Sequence, residues 1–182
     1  MKALSLRTEI FRDSFYRLIN AEADGLPGLI ADRFNKVVVM QPNAFWTENM
    51  CKVIARSIKE VCEIDVVIKN AAGRSRRLEG LDDKNSVFFG DIPEGAISVP
   101  MNGAIYKADV ISGQKTGLFY DQRQNHKFVA SLAGGKAVLD VFCHVGGFGL
   151  AAIAAGASNV SFVDSSATVS YTHLRAHETH ID

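Results

Sequence analysis

The order of elements between residues 137 and 164 constrains the fold of this chain more than any other feature. The apolar run AVLDVF is typical of a strand that is buried on both faces of a parallel sheet. It is followed by the glycine-bearing loop CHVGGFG, by the small apolar segment GLAAIAAGA, which indicates a helix, and by a second apolar run, VSFVD. Strand, glycine loop, helix and strand in this order predict a βαβ unit.

Three glycines and one acidic residue in this unit indicate a nucleoside-cofactor site. Gly146, Gly147 and Gly149 would let the loop backbone approach a ligand closely, because they carry no side chain. Asp164 ends the second strand, roughly 20 residues beyond the loop, where a carboxylate can accept hydrogen bonds from both hydroxyls of a ribose. The pattern predicts that an adenosine-containing cofactor binds here.

Two cofactors fit this loop. The segment from Gly147 to Ala152 satisfies the dinucleotide fingerprint G-x-G-x-x-A, so an NAD(P)-dependent oxidoreductase is an open alternative. Asp140 argues against it, because a carboxylate near the strand end would repel a pyrophosphate on the helix N-terminus. The same negative charge suits the cationic aminoacyl end of S-adenosylmethionine, which is therefore the expected cofactor.

The segment from Phe15 to Asp109 predicts a small α+β domain. Phe15 to Asn20 indicates a strand, and the runs LIADRF and VVVMQ, separated by two residues, predict a β-hairpin. A helix follows from about Thr47, and its expected apolar stripe consists of Met50, Val53, Ile54, Ile58 and Val61. Further strands are expected at VVIKN and SVFFG, and ISVPM and AIYKADV predict a second hairpin around Asn102 and Gly103.

Between these two regions, ISGQKTGLFYDQRQNHKFVASLAGG predicts a loop and then a helix that buries Phe128, Val129 and Leu132. Gly134 and Gly135 end this helix. The predicted fold class is thus α/β and α+β, a small α+β domain followed by the first βαβ part of a Rossmann-like domain.

Composition and charge exclude several classes of protein. The chain has 182 residues, of which 47% are hydrophobic, so it can build a core and is not expected to be disordered. Its 20 basic and 20 acidic residues cancel, so any contact with nucleic acid must come from a local patch. Three separated cysteines form no C-x-x-C pair, and no run approaches the ~18 apolar residues of a membrane span. We expect a cytoplasmic protein without a metal site or membrane contact.

Several motifs together resemble one family. EADGLPGLIADRF, RSRRLEGL, GQKTGLFYDQRQN, VLDVFCHVGGFGL and VDSSA are similar, in order, to signatures of the class I S-adenosylmethionine-dependent methyltransferases of large-subunit ribosomal RNA, a group that includes cytosine-5 enzymes. The resemblance covers about Phe15 to Ala167 and departs from the family pattern at His144 and Val145. It implies methyl transfer to a base of ribosomal RNA, with cytosine C5 as the expected target atom, on a Rossmann-like methyltransferase domain.

The resemblance and the loop pattern together assign the site residues. Lys115, Thr116 and Gly117 are implied to form the floor near the cofactor. The remaining expected cofactor contacts are Asp140, Cys143, Gly146, Gly147, Phe148, Gly149, Asp164 and Ser165. Arg74, Arg76 and Arg77 are either a solvated turn or a patch that contacts RNA phosphates, and we take them as candidate RNA contacts.

No catalytic residue is assigned. Cytosine-5 methylation needs a thiolate that attacks the base ring. Cys143 lies in the cofactor loop, whereas the resemblance implies that the attacking cysteine belongs to a later segment. Cys143 is therefore expected to be a small loop residue rather than the nucleophile.

The C-terminal stretch does not continue these patterns. VSYTHLRAHET, with His173 and His177, resembles the conceptual translation of a sequencing-library adapter. The expected organisation is an N-terminal remnant (1–14), an RNA-facing α+β domain (15–109), an incomplete cofactor-binding domain (110–168) and a foreign tail (169–182). The expected function is a fragment of an rRNA methyltransferase, inactive by itself. An NAD(P)-dependent oxidoreductase fragment and a non-catalytic RNA-binding module are the alternatives.

Overall fold

A computed structural model describes residues 2–113 and 115–165 of the chain. These residues form two compact units. The first contains the residues up to Ile97 together with Asp109–Tyr120, and the second contains Ser98–Ala108 together with the residues from Asp121 onward. The chain therefore crosses between the units after residues 97, 108 and 120. The hairpin of residues 98–108, which the sequence assigned to the first domain, thus lies in the second unit. The predicted domain of residues 15–109 and its independent folding stay predictions.

The first unit is built on a mixed five-stranded sheet in the order β1-β2-β3-β4-β5. Its elements are α1 (Lys2–Ile10), β1 (Phe15–Asn20), a 3-10 helix (Ala21–Asp24), β2 (Leu29–Phe34), β3 (Val37–Pro42), α2 (Phe45–Asn49), α3 (Cys51–Cys62), β4 (Val66–Lys69), α4 (Arg74–Leu78) and β5 (Ser86–Phe89). Only the β3–β4 pair is parallel among the pairs of this sheet, because α2 and α3 supply the crossover between these strands. The predicted strands and the β2–β3 hairpin are confirmed.

Helix α3 packs on the sheet with a different face from the predicted one. Cys51, Ala55, Ile58 and Cys62 are buried at the spacing i, i+4, i+7 and i+11. Ile54 and Val61 are partly buried beside them, but Met50 and Val53 are exposed. The prediction was wrong for these two residues, because the small side chains of Cys51 and Ala55 let the helix lie closer to the sheet on their side. The core that results includes Leu29, Val38 and Met40.

The second unit contains the βαβ element. Its elements are β6 (Ile97–Met101, from Ser98 onward), β7 (Ala104–Ala108), α5 (Arg123–Leu132), β8 (Ala137–Val141), α6 (Gly147–Ala154) and β9 (Asn159–Val163). Strands β6 and β7 pair across the predicted Asn102-Gly103 turn. Strands β8 and β9 pair in parallel, with Asp140 opposite Phe162. The predicted βαβ unit is confirmed.

The β8–β9 sheet buries one face. Val160 is buried with Ala152 of α6, and Val138 packs against them. The opposite face carries Leu139, which is 63% exposed, and Val163, which is also exposed. Among the described residues this apolar face is therefore left largely open to solvent.

Helix α5 also turns a different face inward. His126 and Ala130 are its buried residues, whereas Phe128 and Leu132 are exposed. The predicted stripe was wrong for Phe128 and Leu132, whereas Val129 is half-buried, because the histidine fits a space that a glycine of α6 leaves open. Among residues 2–113 and 115–165, no helix has the length and apolarity needed to cross a membrane. The predicted foreign tail, residues 169–182, lies outside the described residues.

Candidate cofactor site

The candidate site lies at the carboxyl ends of β8 and β9. Because the two strands are parallel, Asp140 near the end of β8 and Asp164 just after β9 come to the same edge of the sheet. Asp164 binds the backbone of the segment that joins β8 to α6, and Asp140 binds the backbone of the first turn of α6. This arrangement follows directly from the βαβ order of the sequence.

Asp140 is buried and holds the first turn of α6. Its Oδ2 accepts a hydrogen bond from the backbone N–H of Gly149 at 2.8 Å. Burial raises the pKa of this carboxyl, the hydrogen bond from Gly149 opposes the rise, and the nearby charge of Asp164 adds to it. The Asp140 carboxylate occupies the Gly149 N–H at the N-terminus of α6, which is a donor that a pyrophosphate would otherwise bind. The geometry thus disfavours a dinucleotide and leaves an acidic site suited to a cationic group.

Asp164 fixes the loop from the other strand. Its Oδ2 accepts a hydrogen bond from the backbone N–H of His144 at 2.8 Å, and Asp164 itself is half-buried. The neighbouring Ser165 is exposed. The buried Cys143 donates its backbone N–H to the carbonyl of Val163 at 3.2 Å. The loop is therefore held to β9 at two successive residues.

Glycine is required in this loop for two different structural reasons. Gly146 has a φ of 74°, in the left-handed region that favours glycine, and it begins α6. Gly147 and Gly149 are required by packing, because a Cβ on Gly147 would collide with His126 and a Cβ on Gly149 with Phe162. The sequence pattern predicts instead that these glycines leave room for a ligand. At these two positions the space is filled by protein side chains.

Two non-glycine residues of the loop also have a positive φ. Phe142 has a φ of 59° and His144 a φ of 50°. Such conformations cost of order 1 kcal/mol each in non-glycine residues and cluster at functional sites. Phe142 is also 81% exposed, so its ring gains little from burial within its unit. The strain and the exposure make this loop a candidate ligand site.

Tyr106 and His126 contact the first turn of α6, and the sequence pattern predicts neither residue. The hydroxyl of Tyr106 donates to the carbonyl of Gly147 at 3.2 Å. The His126 ring stacks on Tyr106 at 6.4 Å between centroids and meets the edge of Phe148 at 4.5 Å. Burial lowers the pKa of His126 to about 4, so the imidazole is neutral at pH 7. No local pattern identifies these residues, since their contacts are with α6.

Lys115, Thr116 and Gly117 belong to the first unit, and the loop residues belong to the second. The Thr116 hydroxyl is buried and donates to Oδ2 of Asp32 at 2.6 Å. Lys115 is exposed, and its Nζ lies 4.7 Å from the centroid of the Phe119 ring. The Thr116 side chain therefore anchors its own segment, and the expected place of Thr116 in the floor near the cofactor stays a prediction. Contacts from Lys115 and Gly117 to a cofactor stay predictions.

The three candidate RNA-binding arginines divide into two classes. Arg76 is only 1% exposed, and its Nη1 lies 2.8 Å from Oε2 of Glu48. Its Nε and Nη2 also donate to the carbonyl of Asp82. The expectation that Arg76 contacts RNA is wrong, because its guanidinium is enclosed by these partners. Arg74 and Arg77 are exposed, so their predicted RNA contacts stay open.

Comparison with known proteins decides the family. A model of S-adenosylmethionine-dependent methyltransferases matches residues 52–178. This chain belongs to that family. The S-adenosylmethionine predicted from the loop is the cofactor of the family, and the oxidoreductase alternative is not favoured.

Individual relatives agree with this assignment. Ribosomal RNA large subunit methyltransferase I of Shewanella amazonensis is 36% identical over 155 residues, which are 83% of this chain and 38% of the relative. The chain thus spans less than half the length of this relative. A structure from Streptococcus mutans, described as a SAM-dependent methyltransferase, matches with a TM-score of 0.81 at 21% identity, over 99% of this chain and 48% of that one. A methyltransferase structure in complex with SAH matches with a TM-score of 0.80 at 21% identity, over 99% and 47%. These structures show the same fold.

Proposed function

We propose that this chain forms the cofactor loop of an enzyme that transfers a methyl group from S-adenosylmethionine to a base of large-subunit ribosomal RNA. The observation that carries the proposal is the pair of carboxylates, Asp140 and Asp164, that hold one loop at the ends of two parallel strands. The ribosomal RNA substrate is supported by the names of the relatives. A cytoplasmic location fits three free thiols.

The residues of the loop fit the parts of this cofactor. When bound, S-adenosylmethionine supplies an electrophilic methyl group. Asp164 would hold the ribose hydroxyls, and the charge of Asp140 would attract the ammonium group of the aminoacyl end. The backbone from Cys143 to Gly149, with Phe148 and Ser165 beside it, would line the remainder. Lys115 and Gly117, which belong to the first unit, are proposed as further cofactor contacts.

We further propose cytosine C5 as the methylated atom, on the strength of the sequence resemblance. This reaction needs a reactive thiolate. Burial raises the pKa of the Cys143 thiol to about 11, and the charges of Asp140 and Asp164 add to the rise. Burial also raises the pKa of Cys51 to about 11 and that of Cys62 above its usual value. We therefore propose that the chain supplies the cofactor loop but no attacking thiol, and that by itself it does not methylate RNA.

Titration calorimetry tests the cofactor site. We expect S-adenosylmethionine to bind more tightly than NAD, and Asp164→Ala to weaken binding by ~1–3 kcal/mol, because the ribose loses a charged acceptor. Asp91→Ala is the matched control, since Asp91 is exposed in the first unit. Unchanged affinity in Asp164→Ala would reject the assignment of Asp164, and tighter binding of NAD would favour an oxidoreductase.

A second experiment separates the enzyme part from a plain RNA-binding module. We expect the purified chain to transfer no radiolabelled methyl group to protein-free ribosomal RNA, although it binds the cofactor. RNA affinity without any cofactor affinity would favour the non-catalytic module. Cofactor-dependent turnover by the chain would contradict the proposed inactivity.

A further inference from the structure

Two aromatic side chains are exposed on the short helix α2 of the first unit. Phe45 is 59% exposed and Trp46 is 39% exposed. The indole Nε1 of Trp46 donates to the carbonyl of Pro27 at 2.9 Å, which fixes the edge of the ring. Thr47, the next residue, is buried. Helix α2 thus holds two large aromatic residues at the surface of a well-packed unit.

The buried pair of Arg76 and Glu48 joins α4 to this helix. The Arg76 guanidinium reaches Glu48 of α2 at 2.8 Å and also contacts the carbonyl of Pro42, just before α2. At the other end of α4, Oε2 of Glu79 accepts a hydrogen bond from the backbone N–H of Phe45 at 3.2 Å. Two independent contacts therefore hold α4 against α2.

Helix α4, which these contacts join to α2, and helix α3 both carry exposed cations. Arg74 and Arg77 are exposed on α4, on either side of the buried Arg76 in sequence. Lys52 and Arg56, one helical turn apart, are exposed on α3, which directly follows α2. The acidic residues of α2 and at the end of α4 are engaged, since Glu48 binds Arg76 and Lys69 and Glu79 accepts from the Phe45 N–H.

We infer that Phe45, Trp46, Arg74 and Arg77 form a surface that binds single-stranded RNA. We call it the aromatic–arginine surface. Exposed aromatic rings stack on unpaired bases, and neighbouring arginines contact phosphates, which is the combination that single-stranded nucleic acids select. A purely apolar protein partner would not require the four exposed cations that α3 and α4 carry. The inference rests on the proposed ribosomal RNA substrate and assigns two new residues to it.

The single tryptophan of the chain provides a direct test, because it lies in the surface itself. A short single-stranded RNA oligonucleotide of mixed sequence is titrated into the chain while Trp46 emission is followed. We expect quenching, since a stacked base shields and quenches the indole. Phe45→Ala keeps this reporter and should weaken binding about 5- to 100-fold. Arg74→Gln with Arg77→Gln should weaken binding and reduce the slope of log K against log salt by about 1.4.

Matched controls lie on α5. Lys127 and Phe128 are a cation and an aromatic residue that are both exposed in the other unit. Lys127→Gln and Phe128→Ala should leave the RNA affinity within about twofold. Thermal melts confirm that each variant is folded, which is expected because all the substituted side chains are exposed.

Two results would overturn the inference. One is quenching with the same affinity in the wild type, in Phe45→Ala and in the arginine double variant. The other is no quenching together with self-association that Phe45→Ala abolishes in sedimentation, which would make the surface a protein interface. Cofactor calorimetry is independent of this titration, so a chain that binds RNA here but no S-adenosylmethionine would refute the cofactor site and leave this surface standing.

Discussion

The imidazole of His126 occupies the space in which a side chain at position 147 would stand. A Cβ on Gly147 would lie 2.6 Å from both Cε1 and Nε2 of His126, closer than real Cβ contacts allow. The identity of one residue in α5 therefore dictates the glycine in α6. The carbonyl of Gly147 also accepts a hydrogen bond from the Tyr106 hydroxyl. The packing against His126 and this hydrogen bond together hold the start of α6 in place.

Gly147→Ala should destabilise the second unit. The added methyl group must displace His126 or the first turn of α6, and such overpacking typically costs ~1–3 kcal/mol. Urea unfolding measures the loss. Gly134→Ala is the control, because the nearest atom to a Cβ there is at 3.7 Å and the residue should accept alanine with little change. Equal stability of the two variants would show that His126 does not press on Gly147.

The buried imidazole should make stability depend on pH. Burial lowers the pKa of His126 from 6.5 to about 4, so the unfolded chain takes up a proton at higher pH than the folded one. Stability from this group is complete above pH ~6.5 and falls as the pH drops toward 4, by at most about 3 kcal/mol. Urea unfolding between pH 7.5 and ~5, above most carboxyl titrations, follows the decline.

His126→Gln is the comparison for that pH series, because glutamine carries no titrating group and has a similar size. Its unfolding free energy should be flatter over the same range, even if it is lower at pH 7.5. A variant that loses stability as steeply as the wild type would assign the pH dependence to another group.

Asp140→Asn should separate stability from cofactor binding. Burial raises the pKa of Asp140, so its ionised form is unfavourable in the folded chain, and this penalty appears as the pH rises through the folded pKa. The amide keeps an oxygen that can accept from Gly149. We expect equal or higher stability at pH 7, with cofactor affinity weaker by about 1–2 kcal/mol, because the ammonium group loses its counter-charge.

Unfolding and calorimetry on the same preparation check this prediction. The stability difference between Asp140→Asn and the wild type should shrink as the pH falls through the pKa of Asp140, because both side chains are then neutral. A variant that binds S-adenosylmethionine as tightly as the wild type would remove Asp140 from the site.

Arg76→Ala should be far more damaging than Arg77→Ala. Burial raises the pKa of the Glu48 carboxyl, but the hydrogen bonds from Lys69 and Arg76 outweigh it and leave the pKa below its usual value. Removing Arg76 leaves much of this charge uncompensated, and breaking such a pair typically costs ~3–5 kcal/mol. Arg77 is exposed, so its replacement should change stability by less than ~0.5 kcal/mol. Similar thermal midpoints for the two variants would contradict the buried position of Arg76.

The sequence predicted the features that depend on interactions between residues close together in the chain. The β2–β3 hairpin and the β8–α6–β9 order follow from runs of apolar residues and a glycine loop, whose consequences lie within a few residues. The inward face of α5 could not be predicted, because Phe128 and Leu132 look more apolar than His126 until Gly147 is placed beside the histidine. Arg76 was misassigned for the same reason, since its partner Glu48 lies 28 residues earlier.

The hydrogen bond from Thr116 to Asp32 spans 84 positions of the chain. During synthesis, the carboxylate in β2 leaves the ribosome long before its partner exists. At about 5–20 residues per second, translation takes roughly 4 to 17 seconds to cover that interval. Through this time the Asp32 carboxylate lacks the buried Thr116 hydroxyl that donates to it in the finished fold, although Arg17 of β1 has already been made. The first unit is thus completed only after residue 116 has been synthesised.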